Sequence, residues 1–165
     1  MLEDTMITLA LYPNDRGLGY ACLENQKTIL DCGMVAVSGL PILNHKILAR
    51  VKRFVDFHEP TIIVLRQQGT SNSRTGGRIK DLEKSILDYA ESVRIPTYQY
   101  TREQIQEVFE LYGRSSKYHI AKQLIIWFPE LSARAPKIRK PWMNEGYNMG
   151  VFDAISLAIT HHYLN

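Results

Sequence analysis

Cysteine is scarce: Cys22 and Cys32 are the only two in 165 residues. Nothing resembles a paired CxxC, so structural zinc is excluded as a main theme and a disulfide framework is not expected. No apolar run approaches the roughly 20 residues that span a bilayer. No GxGxxG or Walker loop offers backbone amides to a nucleotide. No GxSxG elbow is present, and neither cysteine has a recognisable catalytic partner. Repeats, low-complexity tracts and interdomain linkers are also missing. The opening Met1-Leu2-Glu3-Asp4 is acidic and leads straight into a strand-like segment, unlike a secretory signal. A reducing cytoplasm is therefore the expected compartment.

What is present fits one globular domain over residues 1–165. The chain is 45% hydrophobic, too apolar for disorder, and two domains of half its length would each lack a core. Net charge is only +3, but the charge is unevenly placed. No acid lies between Glu59 and Asp81, between Glu110 and Glu130, or between Glu130 and Glu145. Those stretches hold 11 of the 20 basic residues. They are loop-like or helix-opening in character, and acid-free surroundings strengthen a field that attracts phosphate. Ordinary solvated loops would have the same composition.

Periodicity orders the elements. Residues 5–12 read as a buried strand broken at Pro13, and two further strands at 18–24 and 28–37 complete a meander. Residues 42–58 take helical spacing, with Leu43, Ile47, Val51, Phe54 and Val55 on one face, and Glu59-Pro60 ends the helix. Thr61 to Leu65 reads as a strand buried on both faces. A Gly-, Ser- and Arg-rich loop from Gln67 to Gly77 precedes a helix over 78–93. A short strand spans 96–100. Thr101-x-x-Gln104 opens the next helix as a capping box, and Ser115 or Ser116 caps another. A basic loop over 129–145 leads to a final helix over 147–163 with Phe152, Ile155, Ala158 and Ile159 as its stripe. The expected fold is α/β, a mixed five-stranded sheet with helices on both faces. Right-handed crossovers put strand four beside strand one and strand five beyond it. A ligand crevice is expected outside Tyr12 and Arg66, where the parallel strands end, with Asp153 close by.

This order is that of the RNase H-like fold, and the local sequences resemble the RuvC-type Holliday junction resolvases. "LALYPNDRGLGYA" looks like that family's first strand, an Ile-Asp-Pro-Gly opening that ends in Gly-Tyr. "EPTIIVLRQQ" looks like its fourth strand, ending in Glu-Gln. "YTREQIQEVFELYGRSSKYHIAKQL" resembles its fifth strand, the following helix and a lysine-bearing helix start. "GVFDAISLAITHH" is the best match, to an Asp-Ala-Leu-x-Ile-Ala-Ile-Thr-His terminus. The resemblance implies a homodimeric, Mg²⁺-dependent endonuclease with a carboxylate cluster. Most of that cluster is replaced here. The family's acids fall on Tyr12, Arg66 and Gly150, and only the fourth survives, as Asp153.

Mg²⁺ requires oxygen ligands, usually with carboxylates among them. An arginine at Arg66 would repel it, by about 4 kcal/mol for a unit pair at 4 Å and an effective dielectric near 20. Metal binding at the family's position is therefore not expected, and Arg66 is expected to pair with Asp153 in the metal's place. Asp15 reads as a turn residue in Asn14-Asp15-Arg16-Gly17. Gln67 would be a weak ligand. Glu145, in the loop before the last helix, is the better second acid. A rebuilt site would use Asp153 with Glu145, and Mg²⁺ or Mn²⁺.

The basic residues remain. Arg74, Arg78 and Lys80 follow strand four, and Gly76-Gly77 leaves backbone amides open to phosphate. Arg114 and Lys117 stand at a helix start, where the dipole also favours an anion. Lys117 matches the family's substrate-facing lysine region. Lys137, Arg139 and Lys140 with Trp142 combine charge and a stacking surface. Ordinary helix-end histidines are expected at His161 and His162. The resulting expectation is a protein that binds branched or structured DNA, the choice between DNA and RNA being left open, and whose nuclease site is degraded. Two rival readings stay open: an active metal-dependent endonuclease, and a scaffold that has lost nucleic-acid contact.

Overall fold

A computed structural model describes residues 5–37, 39, 41–68, 76–113, 115–136 and 146–165. Its sheet contains β1 (Ile7–Asn14), β2 (Gly17–Glu24), β3 (Thr28–Ala36), β4 (Ile62–Arg66) and β5 (Thr97–Tyr100). The strand order is β3-β2-β1-β4-β5. The first three strands pair antiparallel, while β4 runs parallel to β1 and β5 parallel to β4. This is the expected arrangement.

Alternation along the central strands sorts side chains between two layers. Leu9, Leu11, Ile63 and Leu65 face one layer, with α1 (Asn44–His58) and α2 (Gly76–Ser92). Ala10, Tyr12, Ile62 and Val64 face the other, with α3 (Arg102–Glu110), α4 (Lys117–Trp127) and α5 (Met149–Leu164). Among the described residues, no helix is long and apolar enough to cross a membrane. Both cysteines are free, and burial pushes the Cys22 thiol up to about 12.

Several local expectations need correction. Pro13 does not break β1: it pairs opposite Leu18, and the strand runs on to Asn14. The turn falls after it, where Asn14 Oδ1 accepts from the amides of Arg16 and Gly17. Gly17 has φ 142°, a backbone that disfavours a side chain there. Leu43 precedes α1 rather than packing inside it, and is exposed. Residues 129–134, expected as loop, form a 3-10 helix. The last helix carries more than one apolar stripe: ten consecutive residues from Met149 to Ala158 are buried. It is enclosed between the sheet and the other helices, and a helix enclosed in this way is apolar all round.

The position of α5 depends on a glycine pair. A Cβ at Gly19 would collide with the Gly150 backbone, and one at Gly150 with Met34 Sδ and the Asn14 side chain. Two residues without side chains let the start of α5 lie directly against β2.

Candidate nucleic-acid interface

Three helix starts converge on the carboxyl ends of β1, β4 and β5. Arg102 is the first residue of α3 and Lys117 the first of α4. Asp153 is one turn into α5. Local sequence fixes each start. Thr101 Oγ1 accepts from the Gln104 amide while Gln104 Oε1 accepts from the Thr101 amide, so the expected capping box is formed. Ser116, of the two serines considered, caps α4 by accepting from the His119 amide.

Tyr12 is the centre of the site and is only 2% exposed. The Arg66 guanidinium lies over its ring at 4.7 Å, and Lys117 Nζ lies 5.7 Å from the ring centre. These are cation–π distances. Burial raises the Tyr12 pKa and the Asp153 charge raises it further, while Arg66, Lys117 and Arg102 pull it back. The phenol is neutral at physiological pH.

Asp153 is 3% exposed and is held from two sides. Arg102 Nη1 donates to Oδ1 at 3.4 Å, and Lys117 Nζ donates to Oδ2 at 3.2 Å. The expected Arg66–Asp153 pair is therefore corrected. Arg66 donates instead to the Pro13 carbonyl at 2.6 Å and covers Tyr12. Its position at the end of β4 favours the neighbouring strand end, while α3 and α4 bring Arg102 and Lys117 to the carboxylate. Arg102 Nη2 is left buried with no hydrogen-bond partner. An unmet buried donor costs about 1–3 kcal/mol.

Among the described residues, the charged groups acting on Tyr12 are the three cations Arg66, Lys117 and Arg102 and the one carboxylate of Asp153. The positive ends of α3 and α4 add to that field. Among the described residues, Tyr12, Arg66 and Gly150 supply no carboxylate to this place, and Asp153 is ion-paired with Arg102 and Lys117. No group of three or more metal-ligating side chains occurs among the described residues. The collision described above also explains Gly150: an acid there would drive its Cβ into Met34 and Asn14.

The other predicted residues divide clearly. Asp15 is an exposed turn residue, as expected. Gln67 is exposed, and its amide donates to the Tyr100 carbonyl at 2.9 Å. Lys80 is exposed on α2. Arg78 donates to Asn44 Oδ1 at 3.2 Å and to the Asn14 carbonyl at 2.5 Å, so it ties α2 to α1 and the first turn. Arg74, Arg114, Lys137, Arg139, Lys140, Trp142 and Glu145 lie outside the described residues. His161 and His162 are not charged helix-end groups: burial lowers both pKa values, and His161 Nδ1 lies 2.8 Å from the Tyr100 hydroxyl.

Sequence reading missed Arg102 and Glu83. Arg102 had a usable signal, since the capping box at Thr101 places it at the end of the fifth strand. Glu83 had none: it is a helix acid that the fold buries behind Arg66. The Gln68 amide donates to its Oε2 at 3.4 Å, while its Oε1 and Gln68 Oε1 have no partner. Burial raises its pKa against the pull of that hydrogen bond, Arg66 and Lys80.

Sheet order, crossover pattern and the enclosed last helix define an α/β protein with the RuvC-type RNase H-like fold. Two solved structures show the likeness. A Thermus thermophilus RuvC in complex with a Holliday junction substrate matches with TM-score 0.71 and 17% identity, over 96% of this chain and 94% of that one. A second Thermus thermophilus RuvC structure matches with TM-score 0.62 and 16% identity over the same shares. No family model and no curated protein matches the sequence.

Proposed function

We propose that this chain binds branched or structured DNA at a cationic site and does not cut it. The observation that carries this reading is the sign of the site. One buried carboxylate is held by Arg102 and Lys117, and Arg66 and Tyr12 stand where the resemblance calls for acids. A resolvase of the RuvC type gathers metal ions on carboxylates, and the metals meet the phosphate. Here the chain's own cations occupy that place, so a phosphate is attracted without a metal and no metal-activated water is supplied. Lys80 extends the positive surface, and the basic segments around Arg74, Arg114 and 137–140 belong to the same proposal, with Trp142 as a stacking surface. A homodimer and a cytoplasmic setting are further parts of it that rest on the resemblance and on the sequence alone.

The test uses labelled four-way junction and matched duplex DNA with Mg²⁺, with Mn²⁺ and with EDTA, scoring mobility shift and cleavage together. A junction shift without cutting in every condition is expected. Metal-dependent cutting that Asp153→Asn abolishes would sink the reading in favour of a rebuilt nuclease. No shift at low salt would leave a scaffold.

A further inference from the structure

We propose that Arg102 and Lys117 form a metal-independent seat for one phosphodiester group, and that Asp153 is the seat's built-in competitor. The inference rests on the nucleic-acid reading above and names the atoms that would carry it.

A carboxylate and a phosphodiester present the same kind of face to a cation pair: two oxygens sharing negative charge. Asp153 offers that face now, to Arg102 Nη1 at 3.4 Å and to Lys117 Nζ at 3.2 Å. Charge-assisted N–H···O bonds close to about 2.7–2.9 Å when geometry is good. Both contacts are longer than that. Arg102 engages it with one nitrogen only, and Nη2 is buried without a partner. A guanidinium is a fork built for two parallel bonds to carboxylate or phosphate. The second donor is unmet by Asp153 and would be satisfied by a phosphodiester oxygen seated beside it.

Asp153 cannot withdraw to make room. It lies within a wholly buried stretch of α5, whose start is set against β2 by the Gly19–Gly150 contact. A phosphodiester reaching the two cations meets the carboxylate as a fixed neighbouring negative charge. The carboxylate neutralises the seat when it is empty and opposes the ligand when it is filled. The sign of a substitution follows. Where a carboxylate holds a metal, removing its charge removes ligand binding through that metal. Here, removing the charge of Asp153 takes a fixed negative charge from beside Arg102 and Lys117 and tightens binding.

The experiment measures junction DNA binding in EDTA across a salt series, using the full chain and Asp153→Asn, Arg102→Lys and Lys117→Gln. Inorganic phosphate is titrated in parallel, read as a rise in Tm. Folding of each variant is checked by circular dichroism. Asp153→Asn is expected to bind the junction about tenfold more tightly at low salt, the equivalent of one charge-assisted bond. Its log–log salt slope should steepen by about 0.9, the mark of one more phosphate contact, which a merely structural change would not produce. Phosphate should raise its Tm more than that of the wild type. Arg102→Lys keeps the charge and loses the fork, and should weaken binding; Lys117→Gln should weaken it and flatten the slope.

A folded Asp153→Asn that binds no better than wild type overturns the seat while leaving the nucleic-acid reading in place. Should that variant not fold, Arg102→Lys decides, and wild-type affinity in it overturns the seat. Absence of any junction shift by the wild type at low salt overturns the reading itself, and with it the phosphodiester occupant.

Discussion

At Tyr12 a buried phenol lies under the Arg66 guanidinium, with Lys117 also over its ring and Asp153 close by. Its neighbours make single substitutions informative. Placing an acid at Gly150, as Gly150→Asp, should lower stability by about 1–3 kcal/mol through overpacking against Met34 and Asn14, and on the proposed reading should produce no metal-dependent cutting. Thermal melts and a junction assay with Mg²⁺ check both halves. Glu83 makes a prediction of opposite sign. Its folded pKa is raised above the ordinary 4.5, so the native state binds the extra proton. Its contribution is best at low pH and is lost as pH rises through the unfolded and then the folded value. Glu83→Gln removes that loss and offers an amide to the unpartnered Gln68 Oε1. It should stabilise the protein at pH 7 by about 1 kcal/mol, or roughly 2–4 °C in Tm, with the gain shrinking toward pH 4. Calorimetry at the two pH values reads it.

At the scale of elements, the starts of α3 and α4 do the positioning. Thr101→Ala removes the hydroxyl that accepts from the Gln104 amide and should cost about 1 kcal/mol, a typical N-cap value. It should also weaken junction binding, because Arg102 is the next residue. An equal melt shift with unchanged binding would separate the cap from the site. The other end of α5 titrates. His161 and His162 have pKa values lowered by burial, so they are neutral when folded. For a lowered histidine the stability is present above the unfolded value near 6.5 and is lost as pH falls through the window below it. Denaturant melts between pH 7 and pH 5 should show that fall. His161→Asn with His162→Gln should flatten it, though the double variant loses the Tyr100 contact and starts less stable.

Across the whole molecule, the sheet order brings Tyr12 and Arg66 side by side at the crevice, and α5 carries Asp153 to them. The cations there predict steep salt dependence. With Arg102, Lys117 and the exposed Lys80 all contributing, junction affinity should fall by about 0.9 log units per log unit of salt for each phosphate contacted. A flat salt response would contradict a site built on cations.

Sequence alone determined the order of strands and helices, the crossovers and the capping box at Thr101, and it puts non-acidic residues at Tyr12, Arg66 and Gly150. These are local properties or simple chain order, and both survive folding. Tertiary structure decided who pairs with whom. Arg66 was expected on Asp153, yet it covers Tyr12, because a strand end reaches its neighbouring strand more readily than a helix in the next layer. Arg102 and Lys117 reach the carboxylate because α3 and α4 begin where α5 passes. Burial of Glu83, and of the two histidines, likewise depends on neighbours distant in the chain. Distances and desolvation between such groups exist only once the layers have packed.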